Sequence, residues 1–241
     1  MLTFETIGPC TLYLGDAREV LRNLPEKADL VVTDPPYKLT RGGKNAQVMS
    51  GIFASDQYDN SGTLMEVVPW EEMAAPIFAA CRDHCDAYIM ANDKNVFDAH
   101  AAFISAGWKL HNLLTWNKGA PTRNRWYMKN LEFTLYLWKG RAATINMPGS
   151  TQDFACPRPK NRFHRTQKPL RLLDHYIRNS SNQGELVLDP FAGSASTLVA
   201  AMRAERRAVG IELNPVWFEK SCERLHAEWA AICQGLEVPA E

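Results

Sequence analysis

The chain has 241 residues with 27 acidic and 27 basic side chains, and no apolar run approaches the roughly 20 residues that cross a membrane. That length supports one large domain with a substantial core and is short for two. Overall neutrality excludes a uniformly basic or acidic protein, yet the charge is segregated: Asn117 to Arg171 holds 12 Lys/Arg against two acids, Glu132 and Asp153, so this stretch is +10 and the remainder −10.

Apolar runs bounded by turn residues alternate with helix-like segments, the pattern of a parallel sheet with crossover helices. The opening residues, MLTFETIGPC, lack a basic start followed by an apolar stretch, and a cytoplasmic protein is expected. A strand at 11–14 and a helix at 17–23 lead to an apolar strand at 28–33. There the chain reads ADLVVTDPPYKL. Two consecutive prolines fix φ and remove two backbone donors, so a rigid loop at the strand's end presents Asp34, the Pro35 and Pro36 carbonyls, and the Tyr37 ring. Residues 38–66 are rich in Gly, Ser and Asn and too long for a passive connection, which predicts a functional loop on the catalytic side.

Helices follow at 70–83 and 94–106 around a strand at 86–91. The six cysteines form no CxxC pair and suit a reducing compartment. Cys81, His84 and Cys85 have the look of metal ligands. However, Cys81 and Cys85 stand at helical i,i+4 spacing in an apolar segment without a second ligand cluster, so no metal is expected. Strands at 110–116 and 132–138, with no helix between them, predict an antiparallel hairpin at one edge of the sheet. The surrounding basic residues are interleaved with Trp116, Trp126, Tyr127 and Phe163, which suits a polyanion whose bases can stack. Lys118, Arg123, Arg125, Arg141, Arg158, Lys160 and Arg162 are the candidate nucleic-acid contacts, with a target-recognition insertion expected at 140–162.

A helix at 168–180 precedes a strand at 185–188 that ends in DPFAGSAS, followed by a helix at 195–204, a strand at 207–211 and a helix at 214–232. A glycine turn between strand and helix lets a ligand approach the backbone at a helix N-terminus. Nineteen residues beyond Gly193, Glu212 ends the next strand, where a nucleoside cofactor's ribose hydroxyls are usually held. Neither GxGxxG nor a GK[ST] ending is present, which argues against NAD and against a phosphate-binding loop.

Together, DPPY, DPFAGSAS and GIELN resemble the S-adenosylmethionine-dependent DNA amino-methyltransferases, and their order resembles the β class, a circular permutation of the usual arrangement. LYLGDAREVL, TWNKG, NLEFTLYLWKG and RFHRTQKP extend the resemblance over nearly the whole chain. It implies one methyltransferase domain over 1–241: an α/β fold with a doubly wound, mostly parallel, Rossmann-like sheet. It implies methyl transfer to a base amine of double-stranded DNA, in a bacterial or phage-infected cell, with a homodimer favoured. Asp34, Pro35, Pro36 and Tyr37 would be catalytic. Asp16, His164, Thr166, Lys168, Asp189, Phe191, Gly193, Ser194, Glu212 and Asn214 would bind the cofactor, with Glu212 on the ribose and Asp16 on the adenine. Ala195 stands where the family usually has a second glycine; placed in the first helical turn, it should leave cofactor binding intact. DPPY is more typical of adenine-N6 enzymes and SPPY of cytosine-N4 enzymes, so adenine is the expected target. The open alternatives are cytosine-N4 methylation, an RNA-directed relative, or an inactive nucleic-acid binder.

Overall fold

The computed structural model describes residues 2–37, 67–122, 126–159 and 167–236; the expected loop at 38–66 lies outside them. The strands are β1 (Thr3–Ile7), β2 (Cys10–Leu14), β3 (Ala28–Thr33), β4 (Cys81–Ala91), β5 (Lys109–Thr122), β6 (Lys129–Trp138), β7 (Asp153–Ala155), β8 (Leu186–Asp189) and β9 (Arg207–Glu212). The helices are α1 (Ala17–Val20, continued by a 3-10 turn), α2 (Trp70–Ala80), α3 (Val96–Ser105), α4 (Leu170–Ser180), α5 (Ser196–Arg203) and α6 (Pro215–Cys233). The strands form one sheet in the order β1-β2-β9-β8-β3-β4-β6-β5-β7.

β2, β9, β8, β3 and β4 are mutually parallel, as the alternation of strands and helices predicts. Helices cover both faces, so central strands read as continuous apolar runs rather than alternating ones. Leu30, Val32 and Val187 face a core with α4, α5 and α6. Val31 and Leu188 face the opposite core with α1, α2 and α3. The order of connections reverses between β8 and β3, which opens a crevice at the carboxyl ends of those two strands.

Three features depart from the sequence expectations. β5 and β6 pair antiparallel, but β7 pairs in parallel with β5 and forms the edge instead of the hairpin; β1, antiparallel to β2, forms the other edge. Both added strands are short edge elements whose pairing partners, not their own patterns, define them. The helix expected to reach 83 stops at Ala80 and passes directly into β4. The buried ammonium of Lys139 donates to Phe78 O at 3.0 Å and to Cys81 O at 2.8 Å, ending the helix with a cation on its last carbonyls. Cys81 and Cys85 therefore lie on a strand and not one helical turn apart.

Candidate active site

The parallel strands bring their carboxyl ends to one side of the sheet. Asp34 follows β3, Asp189 ends β8, Glu212 ends β9, and Asp16 follows β2, where Gly15 N donates to Glu212 O at 2.9 Å. Because β6 is antiparallel to β4, its beginning, with Glu132, also reaches this side, as does the segment before α4 with Lys168.

At the β3 tip, the Lys168 ammonium is hydrogen-bonded to Oδ2 of Asp34. Asp34 Oδ1 is buried and has no hydrogen-bond partner among the described residues. A buried carboxylate oxygen left without a donor is costly and rare, and it marks a place where an incoming donor belongs. Burial raises the Asp34 pKa against the pull of Lys168, with Glu132 adding to the rise. Burial works against the Lys168 ammonium, but Asp34 and Glu132 outweigh it and hold its pKa above the ordinary value. The Tyr37 ring is half-buried and stacks on Trp70 at 5.9 Å between centroids, and Trp70 in turn packs edge-on against Phe103.

At the β8 tip, Thr33 Oγ1 donates to Asp189 Oδ1 at 2.7 Å and Phe191 N donates to the same oxygen at 3.2 Å, which ties the two strand tips together. Burial nevertheless pushes the Asp189 carboxyl up to about 6. With a folded pKa above the unfolded one, the folded state holds its proton more tightly. This contribution to stability is therefore full below about pH 4 and is lost as the pH rises through the folded pKa, a change of up to about 3 kcal/mol. Urea unfolding at both ends of that window should show wild type losing stability relative to Asp189→Asn as the pH rises. A difference that does not vary with pH would refute it.

The turn after β8 needs left-handed backbone at Gly193 (φ +50°) and Ala195 (φ +56°). Ala195 thus caps α5 from outside the helix and is not in its first turn as expected. The turn requires positive φ there, which costs an alanine about 1 kcal/mol relative to glycine. α6 holds the turn by its carbonyls: Ser221 Oγ donates to Gly193 O at 2.7 Å, and Arg224 Nη1 to Ser194 O at 2.8 Å. Ser194 and Ser196 share a hydroxyl hydrogen bond of 3.0 Å. A Cβ on Gly193 would meet only Phe191 O at 4.0 Å, so the turn borders open space. Glu212 accepts from Gly193 N at 2.9 Å and Asn214 N at 2.8 Å, and burial raises its pKa. A carboxylate offers about four acceptor positions, so two neighbouring hydroxyls fit it as well. An open turn beside a half-buried acid therefore suits a nucleoside.

Other expected ligands have structural duties. Asn214 Oδ1 caps α6 by accepting from Val216 N and Trp217 N. Asp16 caps α1 and pairs with Arg18, whose hydrogen bonds hold its pKa low. Lys168, expected at the cofactor's methionine end, is paired with Asp34 and Glu132. His164, Thr166, Arg123, Arg125, Lys160, Arg162 and Phe163 lie outside the described residues.

The expected DNA face is also redrawn. Lys118 is buried against Glu132 at 3.1 Å and cannot offer its charge to a surface phosphate. Trp116 is core, with its indole N–H donating to Cys156 O at 2.8 Å; Trp126 and Tyr127 are exposed. Arg141 sits at the opposite end of the sheet, where its amide meets His84 at the start of β4. Residues 146–147, within the expected insertion, are likewise tied to the C-terminal end of α4. Arg158 lies on the catalytic side, close enough to Lys118 to depress its pKa further.

Comparison with known proteins decides the family. The DNA methylase model for N6/N4 methyltransferases matches residues 28–222. The chain belongs to this family of S-adenosylmethionine-dependent DNA amino-methyltransferases. The methylase is 27% identical over 231 residues to the Type II methyltransferase M2.DpnII of Streptococcus pneumoniae, covering 85% of this chain and 84% of that protein. It is 25% identical over 260 residues to the DNA adenine methyltransferase YhdJ of Escherichia coli K12, covering 89% and 82%. Its fold matches the M1.HpyAVI–SAM complex with a TM-score of 0.68 at 24% identity, covering 89% and 99%. The cytosine-N4-specific PvuII methyltransferase matches at 0.69 and 18%, covering 97% of each chain. Among the described residues no helix is long and apolar enough to cross a membrane, and no cluster of His, Cys, Asp or Glu is placed to hold a metal ion.

Proposed function

We propose that the methylase transfers a methyl group from S-adenosylmethionine to the N6 amine of an adenine turned out of double-stranded DNA. The observation that carries this reading is the buried Oδ1 of Asp34, without a partner among the described residues, beside a rigid Pro-Pro turn. An exocyclic amine is a poor nucleophile because its lone pair is delocalised into the ring. Asp34 Oδ1 accepts one N–H and the Pro35 carbonyl the other, which draws the nitrogen toward a tetrahedral form with a localised lone pair. Pro36 fixes that carbonyl, and Tyr37, braced by Trp70, stacks on the extruded base. When bound, S-adenosylmethionine supplies an electrophilic sulfonium methyl. Glu212 holds its ribose, Gly193 and Phe191 line its approach, and Asp189 keeps the β8 turn aligned with the catalytic loop. Lys168 keeps Asp34 ionised and therefore an acceptor. Asp34, its pKa raised by burial, then takes the proton that the methylated nitrogen releases. Arg158 and the basic residues beside it meet the phosphates.

Adenine is favoured over cytosine by the DPPY form of the loop, and the similarity to YhdJ, a DNA adenine methyltransferase, points the same way. The test is incubation of unmethylated genomic DNA with protein and cofactor, hydrolysis to nucleosides and mass spectrometry. N6-methyladenine is expected; N4-methylcytosine would keep the amine chemistry and overturn the base.

A further inference from the structure

The Lys168 ammonium is shared. It bonds Asp34 Oδ2 on one side and lies 3.4 Å from Glu132 Oε2 on the other. The second oxygen of Glu132 accepts from Lys118 at 3.1 Å. Four charges of alternating sign thus run from the catalytic loop through the segment before α4 to β6 and β5. Their side chains are only 20%, 10%, 25% and 6% exposed in that order. Buried ion rows of this kind contribute little to stability compared with apolar residues of the same shape. Their placement therefore calls for another explanation.

Resting on the reading above, we infer that Glu132 is a positioning residue for methyl transfer: it holds the Lys168 ammonium on the Oδ2 side of Asp34, so that Oδ1 stays free for the target amine. An ammonium carries three donors. Facing a single carboxylate, it is drawn to the midline of both oxygens, where it competes with an incoming N–H. The pull of Glu132 keeps it to one side, and Lys118 neutralises Glu132 so that the row as a whole carries no net charge. Nothing in the local sequence around Glu132 announces this role, because its partners come from positions 34, 118 and 168.

The groups facing this row are Tyr37 on the catalytic loop, Asp189 at the β8 tip, and Arg158 near Lys118. Glu132→Gln removes a like charge from beside Asp34 and an opposite charge from beside Lys168. The acid limb of the transfer rate, set by Asp34, should then move to lower pH. The double variant Glu132→Gln/Lys118→Met removes the outer pair together, so no lysine is left buried without its partner.

The full chain and both variants are to be compared by single-turnover methyl transfer to DNA across pH, with cofactor binding measured by calorimetry. Expected for both variants is a transfer rate lower by about 10–100-fold, cofactor affinity within about twofold, and the acid limb displaced downward. A Glu132→Gln variant with the wild-type rate and profile overturns the inference alone. So does a loss that leaves the profile in place, or one that the double variant restores, since either describes a structural pair only. A wild-type chain that methylates no DNA defeats the functional reading first, and the inference with it.

Discussion

Replacing Asp34 by Asn is expected to slow methyl transfer to DNA by roughly 10²–10³-fold while leaving S-adenosylmethionine affinity within about twofold. The two side chains have the same shape, so the effect isolates charge and donor pattern. In wild type, Oδ2 accepts from Lys168 and Oδ1 has no partner among the described residues. In the variant the amide turns its single oxygen toward the ammonium, which leaves the NH₂ where the target amine arrives. A donor then faces a donor, and the amine keeps its delocalised lone pair. Glu212 and the β8 turn are untouched, so cofactor binding persists. Single-turnover transfer of a radiolabelled methyl group, beside calorimetry with the cofactor, separates the two quantities. A variant that methylates DNA at the wild-type rate would remove Asp34 from the mechanism.

Glu212→Ala should do the opposite, weakening the cofactor by at least about 10–150-fold, the range for the loss of one of its hydrogen bonds to a charged group. At saturating cofactor the transfer rate should recover most of its wild-type value, because the ribose contact is made equally before and during the chemical step. The carboxylate also accepts from Gly193 N and Asn214 N, so the melting temperature of the variant should fall as well. Glu212→Gln keeps a neutral acceptor of the same length and should lie between the two. Since burial raises the Glu212 pKa, cofactor affinity in wild type should climb as the pH rises through its titration, and the Gln variant should lose that climb. Equal affinity in all three proteins would place the ribose elsewhere.

The contrast between what the sequence announced and what it concealed has a physical basis. Asp34, Asp189, Gly193 and Glu212 were legible because each stands at the tip of an apolar strand, next to prolines or glycines that interrupt it within a few residues. Strand alternation and the carboxyl-end rule then bring them to one side of the sheet. The burial of Lys118 and the pairing of Lys168 were not legible, because lysine is seldom buried. Their burial depends on Glu132 and Asp34, which are distant in the chain. Trp116 was misassigned to a base-stacking face because its indole partner, Cys156 O, belongs to a loop 40 residues away. Arg141 shared the charge of the basic stretch but not its location, since β6 carries the chain to the far end of the sheet before β7 returns it. Ser221 and Arg224 escaped notice on α6, where a serine and an arginine are ordinary surface residues until the turn they hold is seen. Ala195 looked helical because alanine favours helices, whereas the turn imposes a left-handed backbone.

The measurement that bears most directly on the function is single-molecule sequencing of unmethylated genomic DNA treated with the purified protein and S-adenosylmethionine. The expected result is N6-methyladenine confined to one short sequence motif and absent after treatment with the Asp34→Asn protein. Protein that binds the cofactor but leaves every base of that DNA unmodified would contradict it.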